Sequence, residues 1–110
     1  MIYDHAIVTS YFASCGLPEP VFEYKFCPDR KFRFDLAWPV YSLALEVQGG
    51  LFARTAGGHN RGAGIRKEHE KRNLAASAGW LILYVLPAEL CMQETVDLIH
   101  KAMHSQRGDS

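Results

Sequence analysis

A mixed α/β fold in a single domain is what this chain predicts, and three features carry the prediction. Residues 30–38 and 41–48 both alternate apolar and polar side chains, the period of two that marks a strand with one buried face. A long charged segment from about Arg61 to Ala78 stops at Gly79 and leads at once into the apolar run Trp80 to Leu86, a helix feeding a buried strand. The chain has 110 residues, 48% of them hydrophobic. That is enough for one core and argues against both wholesale disorder and a second domain.

Taken in order, residues 4–14 carry Ile7, Val8, Tyr11 and Phe12 at helical spacing and end at Gly16 and Pro18. Residues 22–27 suit a strand, with Phe22, Tyr24 and Phe26 alternating against Glu23 and Lys25. Within 30–38 the pattern places Phe32, Phe34, Leu36 and Trp38 on one face and Lys31, Arg33, Asp35 and Ala37 on the other. Within 41–48, Leu43, Leu45 and Val47 oppose Ser42, Ala44, Glu46 and Gln48. A glycine-rich loop (Gly49, Gly50, Gly57, Gly58) precedes the long helix. After Pro87, Met92, Val96, Ile99 and Met103 mark the buried face of a last helix, about 88–104, before a polar tail expected to fray from Ser105. The resulting order is α-β-β-β-α-β-α, with no internal repeat.

Several classes are excluded at this level. Three cysteines (Cys15, Cys27, Cys91), none in a C-x-x-C pair, make neither a disulfide framework nor a zinc knuckle, and a reducing cytoplasm is the simplest setting. Asp4 and His5 precede any apolar run, so no signal peptide is expected. The longest apolar stretch falls far short of the ~20 residues a membrane helix needs. No Gly-Lys-Ser/Thr and no G-x-G-x-x-G follows a strand, which removes the usual nucleotide-binding loops. His100 and His104 share the i, i+4 spacing of a zinc pair but bring no third ligand, and Cys27 has no activating neighbour in the sequence.

Twelve Lys plus Arg balance twelve Asp plus Glu. The total hides a pattern. Residues 25–33 hold Lys25, Arg30, Lys31 and Arg33 against Asp29, and residues 54–72 hold Arg54, Arg61, Arg66, Lys67, Lys71 and Arg72 against Glu68 and Glu70. Between these basic blocks lies an acidic pair. With Val40-Tyr41 as the centre of a hairpin turn, positions summing to 81 face each other and Asp35 meets Glu46. Directly opposed Cβ atoms lie ~4.5–5.5 Å apart, and two carboxylates at that distance repel unless a cation sits with them. An oxygen-only set favours Mg²⁺ or Mn²⁺ over zinc. A plain salt bridge from Lys31, Arg33 or a helix lysine is the competing use of the same carboxylates.

The run Arg30 to Asp35, then Leu45-Glu46-Val47-Gln48, Gly49-Gly50, His59, Arg61-Gly62, Gly64, Glu70-Lys71, Asn73 and Gly79-Trp80 resembles the PD-(D/E)XK nuclease superfamily. It is most similar to the small domains related to very-short-patch-repair endonucleases and phage-encoded nucleases. The likeness spans residues 20–87 and departs from the family where Gln48 replaces the lysine of Glu-x-Lys and Phe34 replaces the proline.

The resemblance implies a restriction-endonuclease-like core with a mixed sheet flanked by helices, and Mg²⁺-dependent hydrolysis of DNA. Asp35, Glu46 and the Val47 carbonyl would ligate the metal. Gln48 would orient the water or a phosphate oxygen, and Lys71 would supply the missing charge, its alternative being a surface lysine. His59, Arg61, Lys67 and Arg33 would contact phosphate, and the glycines from Gly57 to Gly64 would form a flap. Glu23 is a spare carboxylate or a solvent-facing strand residue. A chain this small would cut by structure (nick, branch, mismatch) or act as a homodimer. The other classes are a nucleic-acid-binding module that kept the fold without catalysis, and a regulatory subunit.

Overall fold

A computed structural model describes residues 3–49 and 61–107. The elements are α1 (His5–Ser14), β1 (Val21–Lys25), β2 (Arg33–Trp38), β3 (Leu43–Val47), α2 (Arg61–Ser77), β4 (Leu81–Val85) and α3 (Gln93–Gln106), in the expected order. The sheet runs β1-β2-β3-β4. Neighbours β1/β2 and β2/β3 are antiparallel, and β4 joins β3 in parallel through the α2 crossover.

Local chemistry explains the element ends. Asp4 caps α1, its carboxylate accepting from the Ala6 and Ile7 N–H groups, and Gly16 at φ +82° ends it. Gly79, at φ +86°, does the same after α2. The β2–β3 turn is a 3₁₀ turn over Pro39–Tyr41 followed by Ser42 in left-handed geometry. It delivers the expected register, since Leu36↔Leu45, Ala37↔Ala44 and Trp38↔Leu43 each sum to 81.

Two apolar layers sandwich the sheet. On one face α1 and α3 bury Val8, Phe12, Val96, Ile99 and Met103 against Leu36, Trp38, Leu43, Leu45, Val47 and Val85. Each fully buried Leu, Ile or Phe contributes about 1.5–3 kcal/mol. On the other face Ala75 of α2 sits against Phe34, Ala37 and Ala44, with Tyr24, Phe26, Trp80 and Ile82 around them. Small alanines from the helix and from two strands meet at this contact. Strand β3 is therefore buried on both sides along its whole length.

Five expectations are corrected here. Phe34 does not share a face with Leu36 and Trp38; it packs on the α2 side with Ala37. The same switch separates Tyr24 and Phe26 from Phe22. Its cause is a break in the alternation at Glu23, whose φ of +53° is left-handed, so the outer half of the β1–β2 hairpin turns over toward α2. Met92 precedes α3 and is exposed, because a 3₁₀ turn over Pro87–Glu89 takes up the segment where the helix was expected to start. The last helix runs on through Ser105 to Gln106, whose side-chain amide donates to the carbonyls of Tyr41, Ser42 and Gly79. Gly62 and Gly64 lie inside α2 rather than in a flap.

Candidate functional site

Strands β2 and β3 part company at the acidic pair. Their partnering stops at Leu36↔Leu45, whereas β1 and β2 stay paired out to Lys25↔Arg33. The Gln48 N–H donates to the Val85 carbonyl on the β4 side. By alternation the Val47 N–H faces β2, where a regular ladder would offer it the Phe34 carbonyl. Instead it donates to Asp35 Oδ2 at 2.7 Å. Reciprocally, the Asp35 N–H donates to Glu46 Oε2 at 3.0 Å. Two carboxylates thus take over the backbone hydrogen bonding in the fork that the twisted hairpin opens.

Glu46 is 7% exposed, a charge deep in the most buried strand. Such a group needs a cation. Lys71 of α2 provides it: its ammonium pairs with Glu46 Oε1 and stands 5.6 Å from the centroid of the Phe34 ring. The next residue, Arg72, lies over Tyr84 of β4 at 5.0 Å. Helix α2 therefore straddles β3 and reaches β2 and β4 with consecutive side chains. Burial pushes the Glu46 carboxyl above its ordinary range, while Lys71 and the Asp35 amide pull it down and the Asp35 charge adds to the rise. So the helix-lysine salt bridge weighed from the sequence is made, and Lys71, with its side chain 15% exposed, is not a plain surface lysine.

The remaining site residues divide as follows. Gln48 stands just past β3 with an exposed side chain. Lys67, one turn before Lys71, and Arg33, at the start of β2, are exposed. His59, the Arg61 side chain and the loop glycines from Gly50 to Gly58 lie outside the described residues. Arg30 pairs with Glu70, which brings the first basic block against α2. Arg72 pairs with Glu68. Among the described residues, Lys25, Lys31, Arg33, Arg66 and Lys67 make no ion pair and are exposed.

One participant is not singled out by the sequence, and a second, Glu23, is open there between a spare carboxylate and a solvent-facing residue. Tyr3, just ahead of α1, has its phenol pushed up to about 12, first by burial and then by the charges of Asp35, Glu23 and Glu46. Glu23 falls opposite Asp35 in the β1–β2 register, where partners sum to 58. Three carboxylates therefore occupy one level across three strands. The β1–β2 register, once known, is the signal that would have found Glu23.

The donor chemistry suits a hard cation. Every nearby donor is an oxygen, and an ammonium already fills the cation's place on Glu46. No third His, Cys, Asp or Glu joins the pair as a metal cage among the described residues. Asp35 and Glu46 are the side chains that could hold such an ion, and Mg²⁺ tolerates so few protein ligands because it keeps several waters. None of the described helices is long and apolar enough to cross a membrane. Comparison with protein-family models, with characterised proteins and with solved structures finds no match to this chain.

Proposed function

We propose that the chain is a Mg²⁺-dependent endonuclease that hydrolyses phosphodiester bonds of DNA, selecting its substrate by structure (nick, branch, mismatch or junction). The observation that carries this reading is the fork itself: Asp35 and Glu46 share one gap in the sheet, with a lysine from a basic helix laid against them. Asp35, Glu46 and the Val47 carbonyl would hold the metal. Bound there, the ion would lower the pKa of a water and polarise the phosphate. Lys71 offsets negative charge that develops on the phosphate. The Gln48 amide orients the water or a phosphate oxygen by hydrogen bonding, since it cannot exchange a proton as lysine can. Lys67 and Arg33 hold the flanking backbone phosphates, with His59 and Arg61 as further contacts.

The neutral Gln48 also favours a second reading, a module that binds nucleic acid without cutting it. A panel of linear, supercoiled, nicked, flap and four-way DNA with Mg²⁺ or Mn²⁺ separates the two. Cleavage should fall by about 10²-fold or more in Asp35→Asn and Glu46→Gln. Binding without cleavage, unchanged by either substitution, would establish the second reading and overturn the first.

A further inference from the structure

Every carboxylate oxygen of the pair but one already has a donor. Asp35 Oδ2 takes the Val47 N–H, Glu46 Oε2 takes the Asp35 N–H, and Glu46 Oε1 takes the Lys71 ammonium. Only Asp35 Oδ1 has none among the described residues. The ammonium is held on two sides, by Glu46 and by the Phe34 ring. A divalent ion seated on the same pair would claim Glu46 Oε1 and face a like charge a few ångströms away. One of the two cations must yield.

We infer that Lys71 is a built-in placeholder for the metal: its ammonium occupies the cation seat on Glu46 in the free protein, and Mg²⁺ binding displaces it toward the substrate phosphate. The inference rests on the proposed metal site. The pairing resolves a physical conflict. A carboxylate as buried as Glu46 is costly without a cation, so a site that must be empty between turnovers needs a resident counter-charge. Lys71 meets that need from a helix. Its amine, already partly exposed, needs only a rotamer change to leave Glu46.

The test uses the wild-type chain. Brief acylation of lysines, mapped by peptide mass spectrometry, is compared without and with Mg²⁺, using Lys67 as the exposed reference, while calorimetry measures Mg²⁺ bound. Lys71 should react at least tenfold more slowly than Lys67 without metal and approach the Lys67 rate when Mg²⁺ is saturating. In Asp35→Asn the protection should persist at the same Mg²⁺ concentration. A second arm, Lys71→Met, should bind Mg²⁺ about tenfold more tightly. Lys71 staying protected while Mg²⁺ is bound, or no Mg²⁺ binding at millimolar concentration, overturns the inference. Release of Lys71 without any DNA cleavage would sink the nuclease reading and leave the placeholder standing; cleavage with Lys71 still protected would do the reverse.

Discussion

The acidic fork shows how one residue's backbone decides another's chemistry. Glu23 accepts a left-handed φ of +53°, a conformation that costs a non-glycine residue about 1–2 kcal/mol. That single break turns the outer hairpin over, frees the Val47 and Asp35 N–H groups from a regular ladder, and lets carboxylates receive them. Tyr3 records the resulting negative field. Its phenol ordinarily ionises near 10 and is pushed up to about 12 here. Between those values the folded chain holds a proton that the unfolded chain has released. Tyr3 therefore contributes stability that is fully present below pH ~10 and is lost as pH rises through about 12. Ultraviolet phenolate titration should lose its latest-ionising step in Tyr3→Phe, while Tyr84, whose phenol burial also pushes up, keeps its own. The alkaline loss of stability, followed by circular dichroism, should be shallower in that variant. A latest phenolate step that is unchanged in Tyr3→Phe would refute the assignment.

At the scale of elements, α2 and α3 are held by different means. Helix α2 is mostly polar, and Ala75 is its one buried residue among those described. Its position comes from Ala75 against Ala37 and Ala44, together with the Lys71 and Arg72 contacts. Helix α3 has an apolar face and a polar lock. The Gln106 amide serves the carbonyls of Tyr41, Ser42 and Gly79, which belong to the β2–β3 turn and the α2–β4 connection. The first turn sets the β2–β3 register that brings Glu46 to the level of Asp35, and the second leads into the β3–β4 register. Removing the amide leaves these carbonyls short of a donor, at a cost of about 1 kcal/mol. Gln106→Ala should lower the thermal midpoint by ~4–8 °C, and the exposed Ser105→Ala should leave it unchanged. Equal midpoints for both variants would show that the lock contributes nothing.

Across the whole molecule, a net charge of zero coexists with a group of exposed cations from the two basic blocks. Pairing consumes Lys71, Arg30 and Arg72, and leaves Lys25, Lys31, Arg33, Arg66 and Lys67 exposed and without an ion-pair partner among the described residues. Each phosphate neutralised on duplex DNA contributes about −0.9 to the slope of log affinity against log salt. Binding of a labelled duplex, followed by fluorescence anisotropy across a salt series, should therefore show a steep slope. The double variant Arg33→Ala, Lys67→Ala should reduce it by about 2. A slope that does not change would remove both residues from the phosphate interface.

The sequence by itself determined the element order and the β2–β3 register. Those rest on alternation, glycine stops and turn residues, which act over a few neighbours and can be read in one dimension. From that register alone, Asp35 and Glu46 could be set opposite each other. Tertiary structure decided the rest. Whether Phe34 lies with Leu36 or across the sheet from it depended on one dihedral at Glu23, a residue type that gives no warning of a left-handed turn. Whether Lys71 was a solvated helix lysine or the partner of Glu46 depended on α2 being seated over the sheet through Ala75 against Ala37 and Ala44.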